Sequence, residues 1–251
     1  MKFYLGIHQQ NFIRKTDVPL FISRTRLKGK LPQARGPVAI DSGGFTALSK
    51  TGEWPITVEQ YIGELEPFDA EIGIEWAAPM DWMCEPGIRA KTGLSIEEHQ
   101  RRTILNFEQL RYALGDLVIP VLQGWHPDDY MRHWNMYERF SISLDNEPLV
   151  GIGSICRRGQ DDQIVRILNL LRPLKMHAFG VRTDALARCA HFLTSADSMA
   201  WSAQGRRVAR RAGCSHPRNG KTEANCLRYA LDWRARQVAI TQQRLEFACA
   251  V

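Results

Sequence analysis

Short apolar runs recur along the chain, and each is followed by a turn and then by an amphipathic stretch. Six of the runs are apolar on both faces, as parallel strands are when helices cover their sheet. Seven strands are predicted, and the last of them is the one that is not apolar on both faces. They are Phe3–Ile7, Val38–Asp41, Glu71–Trp76, Val118–Gln123, Leu149–Gly153, Met176–Val181 and Ser195–Trp201. The predicted helices are Thr57–Leu65, Ser95–Leu114, Pro127–Phe140, Asp161–Leu171 and Asp184–Phe192. Repeated strand–helix units predict parallel strands joined by right-handed crossovers.

This repetition favours a TIM-like (β/α)8 barrel, of which seven strands can be identified from the sequence. The eighth strand is either degenerate or absent, because residues 205–251 look helical and cationic. The rival architecture is a doubly wound open sheet, but the glycine-rich phosphate-binding turn typical of such folds does not follow the first strand. We predict a barrel domain over residues 1–204 and a basic, helical C-terminal segment over residues 205–251 that packs on it.

Composition excludes several classes of protein. With 44% hydrophobic and 24% charged residues, the chain is neither disordered, collagen-like nor a coiled coil. The longest apolar runs, such as residues 117–122, are too short to cross a bilayer. The N-terminus has no long apolar segment of the kind found in signal peptides. We therefore expect a cytoplasmic protein with no membrane partner.

Positive charge is concentrated in one stretch of the chain. No acidic residue lies between Asp197 and Glu223, and the basic residues in that gap are Arg206, Arg207, Arg210, Arg211, Arg218 and Lys221. Two arginine pairs are spaced four residues apart, so on a helix they form one cationic face. Two interpretations stay open, namely contacts to a phosphate backbone and a solvated helix face.

The cysteines show no secreted disulfide framework, but one group has the spacing of a metal site. Cys214, His216 and Cys226 lie in a short loop rich in Gly, Pro and Asn. Zinc takes four such ligands in a tetrahedron, so we predict a structural zinc ion here, with a chance cluster as the alternative. The candidates for the fourth ligand are Glu223, Asn225, Cys189 and His191.

Polar residues and glycine turns lie at the carboxyl ends of the predicted strands or just after them. They are Asp41, Ser42, Gly43, Gly44, Phe45, Asp81, Gln123, Gly151 and Asp197. In a parallel barrel the active site forms at the carboxyl ends of the strands. Taken singly, each residue is explained as a helix cap, a buried amide or an ion-pair partner. Their joint placement at successive strand ends indicates one active site.

The same segments, in the same order, resemble the tRNA-guanine transglycosylase family over residues 38–201. The matching segments are Asp41-Ser42-Gly43-Gly44-Phe45, Met80-Asp81, Val121-Leu122-Gln123-Gly124, Gly151-Ile152-Gly153, Phe179-Gly180-Val181 and Ala196-Asp197-Ser198. The resemblance implies a TIM barrel that removes guanine from a polynucleotide and installs a 7-deazaguanine base on the same sugar. By position it implies that Asp197 is the nucleophile and Asp41 the general acid/base. Residues 42–45 would then form part of the substrate site, and Asp81, Gln123 and the Gly151 backbone would contact the base edge.

The chain also departs from that family. It is short, Cys156 stands where an acidic residue is usual, and the zinc motif is reduced to Cys214, His216 and Cys226. Shortened relatives of this kind resemble the DpdA-like transglycosylases, which insert 7-deazaguanine derivatives into DNA. The resemblance therefore implies DNA as the partner, a base such as 7-cyano-7-deazaguanine as co-substrate, and a structural zinc ion. The arginines at positions 206, 207, 210 and 211 would contact phosphates.

The implied reaction is a double displacement in which a carboxylate traps the sugar carbon covalently. A target base in a duplex must be flipped out or presented in a single strand. Three alternatives stay open. They are the same exchange on tRNA, a nucleic-acid-binding barrel without catalysis, and an unrelated barrel hydrolase with a metal at its centre. Partner proteins and a homodimer also stay open.

Overall fold

The computed structural model describes residues 1–156, 161–211, 214 and 222–249. Eight parallel strands form one curled sheet in the order β4-β3-β2-β1-β8-β7-β6-β5. The strands are β1 (Lys2–Ile7), β2 (Leu20–Ser23), β3 (Val38–Asp41), β4 (Ile74–Ala77), β5 (Val121–Leu122), β6 (Val150–Ile152), β7 (Met176–Ala178) and β8 (Leu193–Ser198). A parallel bridge between Ala77 and Val118 brings the two edges of the sheet together. The TIM-like α/β fold predicted from the sequence is confirmed.

The helices connect most of these strands and cover the sheet. Within the described ranges they are α1 (Gly44–Thr51), α2 (Val58–Ile72), α3 (Pro86–Thr92), α4 (Ile96–Leu114), α5 (Pro127–Arg139), α6 (Asp161–Leu170), α7 (Thr183–Cys189), α8 (Ala200–Gly205) and α9 (Leu227–Cys249). Helix α2 begins where Thr57 and Gln60 cap each other's backbone N–H groups at 3.3 and 2.9 Å. Helix α4 begins after Ser95, whose hydroxyl accepts from the Glu98 N–H at 3.1 Å.

The eighth strand is β2, so the expectation that this strand is degenerate or absent is wrong. It pairs with β1 on one side and β3 on the other. The connections on either side of β2, residues 8–19 and 24–37, each contain one 3-10 turn and no α-helix. The alternation of strand and helix is therefore broken here, and a four-residue strand between two loops gives no periodic signal.

Two other boundaries differ from the sequence prediction. Glu71 belongs to α2, and Gly73, in the left-handed conformation with φ 65°, ends that helix before β4 begins. Trp201 lies in α8 and not in the last strand. Helix α8 ends at Gly205, so residues 206–211 form a turn and a short bridge to Thr222. The prediction that the arginine pairs share one helix face is therefore wrong.

The interior of the sheet is filled by mostly large side chains from the strands and from the residues just before β5 and β6. They are Tyr4, Phe21, Ala39, Trp76, Ile119 and Leu149, with Phe179 packed against them. Inward and outward positions alternate along a strand, so Asp41 is the next inward residue of β3 after Ala39. Phe21 and Phe179 belong both to this cluster and to the cavity above it, so the cluster is the cavity's floor.

The C-terminal part packs against the first strand. The ring centres of Trp233 in α9 and Phe3 are 6.0 Å apart. The Nε and Nη2 atoms of Arg234 donate to the Phe3 carbonyl at 3.0 and 2.8 Å. Trp201 in α8 donates to the Gly6 carbonyl at 2.7 Å. The domain boundary at residue 204 stays a prediction. Among the described residues, no helix combines the length and the apolar character that crossing a bilayer requires.

Candidate active site

A cavity of about 190 Å³ opens at the carboxyl ends of the strands. The predicted site residues that line it are Asp41, Gly44, Phe45, Asp81, Gln123 and Asp197. They come from the ends of β3, β5 and β8 and from the segment after β4. Asp41 and Asp197, which are far apart in the sequence, therefore face the same small cavity.

Asp41 is the last residue of β3, and the chain turns sharply after it. Gly43 has φ 80°, a conformation that favours glycine, and α1 starts at the next residue. Burial raises the pKa of Asp41, and the negative charge of Asp197 raises it further. Hydrogen bonds to the Gly43 backbone and to Ser23 oppose these effects. A carboxyl group that is readily protonated is suited to carrying a proton.

The side chains of Asp81 and Gln123 are joined by a hydrogen bond. The amide nitrogen of Gln123 donates to Asp81 Oδ2, and the Ser42 hydroxyl lies 3.5 Å from Oδ1. Burial raises the pKa of Asp81 to about 7, and the charge of Asp41 adds to this effect. The Gln123 carbonyl oxygen accepts from the Ser154 hydroxyl at 2.6 Å, so bonds at both ends fix the amide in one orientation.

Asp197 is 5% exposed and lies near the end of β8. Its Oδ1 accepts from the Gly180 N–H at 2.8 Å. The Nε2 atom of His177 lies 3.4 Å from the same oxygen. These two contacts hold the Asp197 carboxyl group in one orientation at the cavity wall, where a carboxylate can act as a nucleophile.

Comparison with known protein families matches residues 1–249 to DpdA, described as DeoxyPurine in DNA protein A. The chain belongs to the DpdA family. Comparison with curated proteins found no match. Membership in DpdA implies a transglycosylase that acts on DNA, and the resemblance identified from the strand-end motifs is confirmed at the level of the family.

This DpdA protein has a further carboxylate that the sequence analysis missed. Glu85 is 7% exposed, lines the cavity and lies 2.9 Å from the Ser154 hydroxyl. It precedes Pro86 at the start of α3, so in the sequence it is typical of a helix cap. The signal that could have identified it is its position four residues after Asp81 in the same strand-end segment. Cys156 also lines the cavity.

Gly151 in β6 and Gly153 directly after it lie in different surroundings. The Gly151 N–H donates to the Pro120 carbonyl at 2.8 Å within the sheet, and its contact to the base stays a prediction. Gly153 lines the cavity instead, and a Cβ atom there would overlap the Gln123 amide. Ser42 and Gly43 are not among the described residues that line the cavity. The Ser42 carbonyl accepts from Arg24 at 2.9 Å.

The four arginines predicted to contact nucleic acid follow α8 in the sequence. Arg206, Arg207 and Arg211 are exposed, and Arg210 is half-buried. Arg210 donates to the Cys214 carbonyl at 3.1 Å, and the Arg211 guanidinium lies 5.3 Å from the Tyr229 ring centre. Of the four, Arg206 and Arg207 are the exposed pair on the turn directly after α8.

A buried group of side chains in the C-terminal part could hold a metal ion. Cys214, Glu223 and Cys226 are all buried. The two sulfur atoms are 3.3 Å apart, and both Glu223 carboxylate oxygens lie 3.1 Å from Cys214 Sγ. Burial raises the pKa of Cys226 to about 12, and Glu223 and Cys214 contribute. Two thiols and a carboxylate are a ligand set that suits zinc.

Glu223 is thus the fourth-ligand candidate that joins the two cysteines. The predicted ligand His216 lies outside the described residues. The group is not part of the cavity lining, since its residues are absent from the described wall that contains Asp41 and Asp197. This placement disfavours the alternative of a hydrolase with a metal at its catalytic centre.

Proposed function

We propose that this DpdA protein exchanges guanine in DNA for a 7-deazaguanine base, such as 7-cyano-7-deazaguanine. The observation that carries the proposal is the convergence of Asp41, Asp81 and Asp197 on one cavity in a member of this family. The cavity volume is below the range of about 300–1,000 Å³ typical of sites for larger ligands. A single planar base is a ligand of suitable size.

Base recognition is assigned to Asp81 and Gln123. An ionised carboxylate accepts two hydrogen bonds at once, which matches the N1–H and the exocyclic amine of guanine. Gln123 holds Asp81 with one amide hydrogen, and its second amide hydrogen is directed to the base oxygen O6. The rings of Phe21, Phe45 and Phe179 supply apolar surface for the faces of the base.

The exchange proceeds in two displacements at C1′ of the sugar. A carboxylate oxygen of Asp197 bonds to C1′ while the bond from C1′ to N9 breaks, and the departing guanine takes a proton from Asp41. The incoming base then gives its N9 proton to Asp41 and bonds to C1′ through N9. Asp197 leaves as a carboxylate, so both aspartates return to their initial states.

DNA binding and zinc have supporting roles in the proposal. The target nucleotide is flipped into the cavity, and Arg206 and Arg207 contact its flanking phosphates, with Arg210 and Arg211 behind them. A zinc ion is held by Cys214, Glu223 and Cys226, with His216 as a further ligand. It braces the C-terminal segment and takes no part in the chemistry. DNA as the substrate agrees with the cytoplasmic location expected from the sequence.

The test is exchange of radiolabelled guanine into defined nucleic acids. We expect label in DNA, no label in tRNA, and no exchange by the Asp197→Ala variant. Nucleoside mass spectrometry of DNA from cells that express the protein with a 7-deazaguanine supply identifies the inserted base. Exchange confined to tRNA, or DNA exchange that survives Asp197→Ala, contradicts the proposal.

A further inference from the structure

Below the cavity, one buried histidine faces Asp197. His177 is an inward residue of β7 and is fully buried. Its ring lies 4.6 Å from that of Trp76 and 4.8 Å from that of Phe179, measured between ring centres. Burying a polar ring in such a position costs free energy unless its nitrogen atoms form hydrogen bonds. Its Nε2 atom has no hydrogen-bond partner among the described residues and lies 3.4 Å from Asp197 Oδ1.

The pairing of β7 with β8 creates this arrangement. His177 is in register with Ser195, and Asp197 is the next inward residue along β8. The Ser195 hydroxyl lies 2.8 Å from His177 Nδ1. The three side chains therefore form a row, Ser195, His177 and Asp197, that runs from the interior of the sheet to the cavity.

The row determines which ring nitrogen carries the proton. An acceptor nitrogen at Nε2 would face the carboxylate lone pairs, whereas an N–H there attracts them. The proton therefore belongs on Nε2, and the Ser195 hydroxyl donates to Nδ1. A distance of 3.4 Å is long for this bond, and such contacts shorten when substrate is bound.

We propose that His177 is a positioning residue for Asp197, an inference that rests on the proposed function. His177 and the Gly180 N–H both approach Oδ1 and so fix the carboxylate, which leaves Oδ2 to bond to C1′. In the second displacement the same Nε2–H stabilises the negative charge that returns to Asp197. His177 does not touch the substrate itself.

The experiment compares two substitutions at His177 in the guanine-exchange assay. His177→Phe keeps a ring in the aromatic layer and removes the donor, and we expect kcat to fall about 100-fold, as for loss of one preorganised donor. The KM for the base stays within about twofold, because Asp81 and Gln123 are untouched. His177→Gln places an amide N–H near the position of Nε2–H. We expect its kcat to be at least about tenfold higher than that of His177→Phe.

Tyr4→Phe is the matched control, since Tyr4 lies in the same layer but bonds to Glu75 and Trp76. It retains the kcat of the unmodified chain. Ser195→Ala removes the hydroxyl that orients the His177 ring, and we expect it to lower kcat and leave KM unchanged. This variant tests the inference independently if His177→Phe does not fold. Unaltered kcat in both folded His177→Phe and Ser195→Ala overturns the inference. Absence of exchange by the unmodified chain instead contradicts the proposed function.

Discussion

At the scale of single residues, the cavity places several carboxyl groups where water is scarce. Burial raises the pKa of Asp41 and of Asp81, and the charge of Asp197 adds to the effect at Asp41, as that of Asp41 does at Asp81. Asp197 instead receives the Gly180 N–H. The three aspartates thus have different environments, which is how chemically identical groups obtain separate roles in one site.

The raised pKa of Asp81 predicts an effect of pH on stability. An aspartate in the unfolded chain has a pKa of about 3.9, whereas that of folded Asp81 is about 7. Between these values the folded chain holds a proton that the unfolded chain has released, so stability falls as the pH rises. We therefore expect Asp81→Asn to raise the melting temperature at pH 8 relative to the unmodified chain, and much less at pH 4.

Thermal unfolding at the two pH values measures this difference. Asp145→Asn, at an exposed position, is the control and should shift the melting temperature equally at both. An Asp81→Asn variant that is destabilised more at pH 8 than at pH 4 contradicts the assignment. The same variant should lose affinity for guanine, because an amide offers one acceptor where the carboxylate offers two.

At the scale of elements, the turn after β6 makes room for Gln123. A Cβ atom on Gly153 would overlap the Gln123 amide and so displace it from Asp81. We expect Gly153→Ala to raise the KM for guanine at least about tenfold and to destabilise the fold by about 1–3 kcal/mol, as overpacking does. Steady-state kinetics and denaturant unfolding measure the two effects.

Gly63→Ala is the control for that substitution. Gly63 lies on the exposed side of α2 with open space around the position of its missing Cβ. Alanine in a helix interior is favoured over glycine by about 0.5–1 kcal/mol, so this variant should be slightly more stable and fully active. If Gly153→Ala binds guanine as tightly as the control does, the position of the Gln123 amide does not depend on the absence of a Cβ atom at residue 153.

The turn after α8 predicts how DNA affinity depends on salt. Arg206 and Arg207 are exposed there, and each phosphate contact contributes about 0.9 to the slope of log K against log salt. We expect the double variant Arg206→Ala/Arg207→Ala to lower that slope by about 2 and to weaken binding to all DNA sequences. Arg35→Ala, an exposed control just before the amino end of β3, should leave it unchanged. An unchanged slope in the double variant contradicts the assignment.

Strands with apolar residues on both faces, and polar residues at their carboxyl ends, could be predicted because parallel packing imposes both features. Strand β2 could not, since no helix precedes or follows it. Glu85 was missed because an acidic residue before a helix is usually a cap, and His177 because a residue inside an apolar strand indicates core. Charge spacing alone cannot show that a helix ends at Gly205, so the arginine face was predicted wrongly.

At the scale of the whole molecule, the zinc ion and the catalytic cavity should be separable. We expect Cys226→Ser to lose bound zinc and to melt more than about 5 °C lower, because metal binding contributes to folding. Exchange should persist at temperatures where the variant remains folded. Metal analysis, melting curves and exchange rates test this.

Cys189→Ser, which alters a buried cysteine of α7 outside the metal group, is the control and should keep its zinc. Chelation that abolishes exchange while the chain stays folded and keeps its melting temperature contradicts a purely structural role.

The most direct test of the account is to trap the covalent intermediate. DNA is mixed with the protein in the absence of an incoming base, and the reaction is quenched with denaturant before intact-mass measurement and peptide mapping. We predict a protein–DNA adduct that has lost guanine and is linked through Asp197, and no adduct with Asp197→Ala. An adduct on another residue, or base exchange by folded Asp197→Ala, contradicts the central claim.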